Sequence, residues 1–185
     1  MNLKKAALVC VRTSPKRATR TVIQKLLYLA ALKGLTKASY EAHYYGPYSP
    51  EVASTLQDLS SSGLVEETTE VLQPFGDPWE VRRYQYSLSK EVEKALDKVL
   101  NEEDKVEAKK LEELIGTCEK RGSLNPKSLS VATKVLYILH EMSHPLTDTQ
   151  IAKKARELGW NITEEEIENS VVGLLTDLQL VTRQR

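Results

Sequence analysis

Long apolar runs, paired cysteines and most catalytic signatures are missing from this 185-residue chain. No apolar run approaches the roughly 18 residues that a transmembrane helix needs, so we expect no contact with a membrane. The cysteines, Cys10 and Cys118, lie far apart and form no CxxC pair, which favours free thiols in a reducing, cytoplasmic compartment. Because the sequence has neither a glycine-rich phosphate loop nor a GxSxG motif, we predict a protein that is not an enzyme and needs no cofactor.

Acidic residues are also missing from the first 40 positions, although the chain as a whole has a net charge of zero. Residues 1–40 contain nine Lys or Arg and no Asp or Glu, whereas residues 51–120 contain seventeen acids and nine bases. Such asymmetry is typical of an end that faces nucleic acid. It is equally typical of a basic end that docks on an acidic remainder, within the chain or in a dimer. Both interpretations stay open at this point.

Hydrophobic periodicity in residues 1–88 predicts three helices followed by a hairpin. The predicted helices span residues 3–11, 21–33 and 49–62. A tyrosine-rich strand is expected at 38–45, before the break at Gly46-Pro47, and the hairpin strands at 64–72 and 79–88 with a turn-rich loop at 73–78. Ser49 is expected to cap the third helix, with Pro50 in its first position. Three helices followed by a hairpin are the order of elements in a winged helix, a variant of the helix-turn-helix.

The second half of the chain is predicted to repeat this outline after a charged connector. Residues 89–115 are expected to form one helix, or two with the second beginning at Asn101. Their narrow apolar stripe suits either a helical spacer or the interface of a homodimer. Residues 116–127 are predicted as a linker, and helices are expected at 128–142, 147–158 and 163–178. Residues 180–185 then start a strand, but the sequence ends before a full wing.

The predicted fold is therefore mainly α with small β wings, an α+β architecture of tandem winged-helix domains. The first domain spans residues 1–88 and the second, truncated domain spans residues 128–185. A charged helical connector and linker, residues 89–127, join the two.

Three segments of the first domain resemble a known family. The run from Thr21 to Tyr28 contains Gln24-Lys25-Leu26, and it is followed by Tyr44-Tyr45-Gly46-Pro47-Tyr48-Ser49 and by Gly63-Leu64-Val65. This combination resembles the YwgA family of small, mostly uncharacterised archaeal and bacterial proteins, and is more distantly similar to the Panacea (SocA-like) antitoxin domain. The resemblance covers about residues 1–90. It implies a winged-helix-like fold and a regulatory or interaction role, and it transfers no catalytic residue.

The helices that read DNA in a winged helix have the wrong charge here. A winged helix usually places its third helix in the major groove and contacts bases with Arg, Lys, Asn or Gln. Residues 49–62 contain no Lys or Arg but include Glu51 and Asp58, and the corresponding helix of the second domain contains four glutamates between residues 164 and 168. Such helices repel phosphates, so we expect no base-specific reading by them.

The candidate nucleic-acid contacts lie elsewhere, before and on the second helix and on the second wing strand. They are Lys16, Arg17, Arg20, Lys25, Arg82 and Arg83. The last two stand beside Tyr84 and Tyr86, and basic side chains interleaved with aromatic rings can grip a strand and stack on its bases. The alternative is that these tyrosines pack on a small sheet and that the arginines form a solvated face.

One motif suggests metal chemistry, and its context argues against it. His140-Glu141-Met142-Ser143-His144 matches HExxH, in which two histidines one helical turn apart bind zinc. Pro145 directly follows the second histidine and disfavours the helical conformation there, so the two would not share a face. The one further histidine, His43, belongs to the other predicted domain. We therefore predict no metal site.

These features together predict a non-enzymatic regulator, of the kind that acts in transcription, which contacts the DNA backbone through its basic N-terminal region. The alternative is a protein-interaction module, antitoxin-like or an assembly protein, which does not bind DNA and whose acidic helices bind a basic protein partner. Salt-dependent binding of DNA separates the two.

Overall fold

The computed structural model describes residues 1–72, 81–142 and 145–181, which form eight α-helices and two antiparallel hairpins. In chain order the elements are α1 (Leu3–Thr13), α2 (Arg20–Leu32), β1 (Glu41–His43), β2 (Gly46–Tyr48), α3 (Pro50–Ser61), β3 (Val65–Leu72), β4 (Val81–Leu88), α4 (Lys90–Val99), α5 (Glu102–Lys120), α6 (Pro126–Glu141), α7 (Asp148–Glu157) and α8 (Glu164–Ser170). The protein is thus mainly helical with two small two-stranded sheets, and the predicted α+β class is confirmed. None of the helices in these ranges is long and apolar enough to cross a membrane.

Side-chain caps fix where the helices of the first half begin. The side chains of Asn2, Thr19 and Ser49 accept hydrogen bonds from backbone amides in the first turns of α1, α2 and α3. Each cap satisfies an amide that has no partner within its own helix. The predicted cap of α3 by Ser49, with Pro50 following it, is confirmed.

The tyrosine-rich segment forms a hairpin and not the single strand that its composition predicts. Strand β1 turns at Tyr44-Tyr45 and pairs with β2, with Glu41 opposite Tyr48 and His43 opposite Gly46. Gly46 has a φ of +96°, a backbone conformation that L side chains rarely adopt, so glycine allows the chain to turn back where a break was expected.

The second hairpin is longer and borders the start of α2. Strands β3 and β4 pair over eight residues each, from Val65 opposite Leu88 to Leu72 opposite Val81. The amide of Tyr86 donates to the carbonyl of Ala18 at 2.9 Å, and Thr19 forms a bridge with Gln85. The segment before α2 therefore lies along the free edge of β4. The predicted loop at 73–78 and the expected start of the second strand at 79–80 lie outside the described residues.

The connector consists of two helices, and the linker is shorter than predicted. Asn101 and Asp104 form a reciprocal capping box at the start of α5, so the second of the two predicted alternatives is confirmed. Helix α5 packs along α1 and continues through Gly116 to Lys120, because Leu114 and other residues near its end are buried. Tertiary burial outweighs the low helix propensity of glycine. The linker predicted at 116–127 therefore shrinks to residues 121–125.

The last three helices form a compact group after this linker. Capping boxes begin α7 at Thr147 and α8 at Thr163, so both helices start where the sequence predicts them. The third helix is not uniform, because α8 passes into a π-helical segment at Val171–Leu175. Leu180 and Val181 are not part of a strand, and the rest of the predicted strand lies outside the residues described.

The two halves of the chain share one hydrophobic core. Helix α6 packs against α2 and β2, and the buried apolar residues of both halves form a single cluster. Trp160 is almost fully buried, and its Nε1 donates to the carbonyl of His43 at 2.7 Å. Ser130 Oγ donates to the carbonyl of Tyr45 at 2.8 Å. These contacts fix the first hairpin against the C-terminal helices.

Candidate nucleic-acid interface

The basic residues of α1 are paired with acids from later in the chain. The ion pairs are Lys4–Asp58 at 3.2 Å, Lys5–Asp104 at 2.5 Å, and Arg12 with Asp97 at 2.6 Å and with Glu112 at 2.7 Å. The hydrogen bond from Lys5 lowers the pKa of the Asp104 carboxyl. The first helix thus docks on the acidic remainder within the chain, which is one of the two interpretations that the sequence leaves open. Its charges are not an open basic surface.

Several of the other predicted contact residues lie around a cavity of about 380 Å³, which we call the arginine–tyrosine cleft. The cleft lies between the start of α2, the first hairpin, β4 and the start of α6. Its lining residues are Thr19, Arg20, Thr21, Gln24, Lys25, His43, Tyr45, Tyr48, Arg82, Arg83, Tyr84 and Pro126. Four of the six predicted contact residues belong to it, and no carboxylate is among the described residues that line it.

Arg20 is held in a fixed position at the wall of the cleft. Its guanidinium carbon lies 3.8 Å from the centroid of the Tyr84 ring, its Nε donates to Tyr86 Oη at 3.1 Å, and a terminal nitrogen donates to Glu67 at 3.2 Å. Burial raises the pKa of Tyr86 to about 12, so at neutral pH its phenol stays uncharged. Tyr86 is fully buried and packs on the small sheet, as the second interpretation of these tyrosines proposes. The ring of Tyr84 is covered by Arg20.

Arg82 and Arg83 form the exposed rim of the cleft on β4. Arg83 Nη1 donates to Glu70 Oε2 at 3.3 Å, and these two residues stand directly opposite each other in the ladder. Both partners of this pair are about half exposed, and such surface pairs contribute at most about 1 kcal/mol. Glu70 therefore holds Arg83 only weakly.

Lys16 and Arg17 lie just outside the cleft. They are exposed in the turn between α1 and α2, two to four residues before Thr19 and Arg20. Neither of them forms an ion pair with any residue in the described ranges. They extend the positive surface of the cleft along the chain.

Lys25 is not a surface residue, and its predicted position is corrected by the structure. Only 2% of it is exposed, and its Nζ donates to the carbonyl of Pro47 at 2.7 Å. Burial, and after it the charge of Lys134, lowers the pKa of Lys25 to about 7. The neighbouring Gln24 donates from Nε2 to the carbonyl of Ser49 at 2.9 Å and accepts from its amide at 3.0 Å. We call these contacts the Gln24–Lys25 clamp; they hold the Tyr-Gly-Pro-Tyr-Ser segment against α2.

Sequence reasoning missed the aromatic contribution of the first hairpin. The rings of His43 and Tyr48 lie 5.2 Å apart, and those of His43 and Tyr45 lie 6.4 Å apart. All three residues line the cleft, and Tyr45 is 58% exposed. Tyr44, which is 71% exposed at the tip of the same hairpin, is not a lining residue. The sequence does show a high density of aromatic residues between positions 40 and 48. That density was interpreted only as strand propensity and not as part of a binding site.

The HExxH segment gives no metal centre among the residues that can be assessed. Helix α6 ends at Glu141, and Met142 is its C-cap with an extended backbone. His144 lies outside the described residues. Within the described part of the chain, no group of three His, Cys, Asp or Glu side chains is placed to hold a metal ion.

Comparisons with known proteins add no relative to this description. No family model matches the chain, and no curated protein matches it significantly. A function for the protein therefore has to rest on the chemistry of its own surface.

Proposed function

We propose that this protein is a non-enzymatic, nucleic-acid-associated regulator that contacts the nucleic-acid backbone through the arginine–tyrosine cleft and the turn before it. One observation carries the proposal. Arg20, Arg82 and Arg83 come from segments about 60 residues apart, yet they line one cavity, and no carboxylate lines it among the described residues. Converging cations with an aromatic wall are typical of sites that bind nucleic-acid strands.

We infer that residues 1–88 form a winged helix. In support, α1 is followed by the bridge at Thr19, then by α2, α3 and the β3–β4 hairpin. The bridge pairs the segment before α2 with the edge of β4, and the hairpin takes the place of the wing. The first hairpin, β1–β2, stands where a plain helix-turn-helix has only a turn. Helices α6, α7 and α8 repeat the three-helix part of this order, which supports a second, truncated domain at 128–185.

The mode of binding differs from that of a helix that reads the major groove. Helix α3 exposes Glu51 and Asp58, and the first turn of α8 consists of glutamates. Neither helix can face phosphates without repulsion. The cations Lys16, Arg17 and those of the cleft contact phosphates instead, so binding depends little on base sequence.

The proposal predicts how strongly the binding constant depends on the salt concentration. Five contacts, by Lys16, Arg17, Arg20, Arg82 and Arg83, predict that the logarithm of the binding constant falls with the logarithm of the salt concentration with a slope of about −3.5 on a single strand. Removing two of the five reduces that slope by about 1.4.

The test is a fluorescence-anisotropy titration with single-stranded and duplex DNA at several salt concentrations. The variant Lys16→Ala/Arg17→Ala is compared with Lys109→Ala/Lys110→Ala, which removes equal charge from exposed positions on α5. We expect the first variant to bind more weakly and with a smaller slope, and the second to bind like the wild type. Undetectable binding at low salt, or equal effects of the two variants, contradicts the proposal.

A second candidate function, as a protein-interaction module, is favoured by two exposed valines on the connector. Leu96 and Leu100 of the predicted dimer stripe are buried in the chain's own core, whereas Val99 and Val106 are 58% and 56% exposed. If the connector forms a homodimer, sedimentation of Val99→Ser/Val106→Ser will show a weakened association. Val71→Ser, on the exposed part of β3, is the control. A wild-type protein that stays monomeric at high concentration excludes the homodimer.

A further inference from the structure

The shape of the arginine–tyrosine cleft limits what can enter it. Its volume of about 380 Å³ falls within the range of about 300–1,000 Å³ that is typical of sites for small molecules. The cleft is a cavity between four segments of the fold and not a flat surface, so the cylinder of a duplex cannot fill it. A single unit of a strand, or a free molecule of similar size, can.

The charged side of the cleft is suited to one phosphate group. The guanidinium of Arg20 is fixed by its stack on Tyr84, and its two hydrogen bonds use two of its five N–H donors. Arg82 and Arg83 also line the rim; Arg82 shares the face of β4 that carries Tyr84, whereas Arg83 is on the other face, opposite Glu70. Planar guanidinium groups bind phosphate through pairs of parallel hydrogen bonds. The first turn of α2, which also lines the cleft, contains no acidic residue, so its positive end adds to this potential.

The part of the cleft that the first hairpin lines is suited to a flat ring. The rings of His43 and Tyr48 are inclined by 36°, and those of His43 and Tyr45 by 35°, so the three rings form a tilted but continuous aromatic wall. Tyr45 is open to solvent over more than half of its surface. Nucleobases stack on such faces whatever their identity, because every base has a π face.

We propose that the cleft binds one nucleoside monophosphate unit, with its phosphate between Arg20 and Arg82 and its base against the wall formed by His43, Tyr45 and Tyr48. The unit is a free nucleotide or an unpaired residue of a strand, and in the second form the inference rests on the proposed function. Phosphate and base are recognised by different sides of the same cavity, so each half of the ligand contributes separately to affinity.

Calorimetric titration tests this division. The probes are AMP, adenosine, ribose 5-phosphate and an eight-residue oligothymidylate. We expect AMP or the oligonucleotide to bind, and adenosine and ribose 5-phosphate to bind at least tenfold more weakly than AMP. Binding of ribose 5-phosphate as tight as that of AMP overturns the proposal, because it reduces the cleft to a site for any phosphate.

Matched variants show whether binding occurs in the cleft. Tyr45→Leu should weaken AMP or oligonucleotide binding at least fivefold and leave ribose 5-phosphate unchanged. Tyr44→Leu should have a smaller effect, because Tyr44 does not line the cleft and contacts it only through the ring of Tyr45, 4.9 Å away. Arg82→Gln/Arg83→Gln should weaken every phosphate-bearing probe at least tenfold. Circular dichroism confirms that each variant is folded. Equal effects of Tyr45→Leu and Tyr44→Leu overturn the assignment.

The outcomes also separate this inference from the proposed function. If AMP binds and no oligonucleotide does, the cleft is a site for a free nucleotide and the proposed function fails. If oligonucleotides bind but neither Tyr45→Leu nor Arg82→Gln/Arg83→Gln weakens them, the proposed function stands and the nucleotide site is refuted. If neither probe binds, both are refuted.

Discussion

Replacing Lys25 by methionine is expected to change how the stability of the protein depends on pH. Lys25 is 98% buried, since only 2% of it is exposed, and its ammonium has one carbonyl partner, that of Pro47. Burial, together with the nearby charge of Lys134, lowers its pKa to about 7 in the folded protein. In the unfolded chain the pKa of a lysine is about 10.4.

The sign of the effect follows from proton counting. Between pH 7 and 10.4 the unfolded chain binds a proton at Lys25 that the folded protein has released, so the free energy of unfolding rises with pH in this window. Below pH 7 both states are protonated, and the folded state carries the full cost of the buried charge. With these two pKa values, the linkage relation gives a rise of about 2 kcal/mol between pH 6 and 8.5.

Urea denaturation at half-unit steps from pH 6 to 8.5 measures this rise. Lys25→Met keeps every other titrating group, so subtracting its profile from that of the wild type isolates the contribution of Lys25. The expected difference between the two profiles changes by about 2 kcal/mol across the window. Lys33→Met, at an exposed position on α2's C-cap, should follow the wild type. Parallel profiles for the wild type and Lys25→Met would refute the placement of a buried, readily deprotonated ammonium.

Three further substitutions test other contacts described above. Gln24→Leu removes both hydrogen bonds to the main chain at the start of α3, so it should lower the free energy of unfolding, measured in urea, by about 2–5 kcal/mol. The control Gln57→Leu, on the exposed face of α3, should change this free energy by less than about 0.5 kcal/mol. Gly46→Ala should lower the melting temperature more than Gly34→Ala: both positions have a positive φ, but only at Gly46 does an added Cβ meet side-chain atoms, at 3.1 and 3.3 Å. Asp104→Asn should reduce the loss of stability in acid, since a carboxyl whose pKa is lowered in the folded state stabilises it above the unfolded pKa and ceases to do so as pH falls through the folded value. Acid denaturation curves identical to those of the wild type would contradict the last expectation.

Local signals in the sequence were sufficient for most helix starts. Ser49, Asn101 and Thr147 are capping residues whose partners lie within three positions, so the pattern that predicts them is the pattern that forms them. The β3–β4 hairpin was also predictable, because alternation and turn residues lie within one short segment. The end of α5 was not, since burial against α1, about 100 positions earlier, carries that helix past Gly116.

The candidate site could be predicted only in part, because it also depends on contacts between segments that are distant in the sequence. The sequence identifies Arg20, Arg82 and Arg83 as basic residues, but their convergence depends on the pairing of the segment at Thr19 with β4. Lys25 was predicted to be exposed because a charged residue normally lies on the exposed face of a helix. Helix α2, however, is buried along most of its length, and the carbonyl of Pro47 accepts a hydrogen bond from the Lys25 ammonium. The hairpin rings are brought together by the pairing of β1 with β2, which ends at Gly46 with its positive φ.

The Gln24–Lys25 clamp has a consequence for which substitutions the protein can tolerate. Its three hydrogen bonds all reach main-chain atoms of Pro47 and Ser49 and none of their side chains. The clamp therefore recognises the path of the backbone and is indifferent to which side chains that backbone carries. Substitutions in the hairpin that keep its path, such as exchanges among aromatic residues at position 45, can alter what the cleft binds while leaving its frame intact. Gln24 and Lys25 cannot be replaced without losing these hydrogen bonds. The side chains of the hairpin can therefore vary, while the two residues of α2 that hold the hairpin cannot.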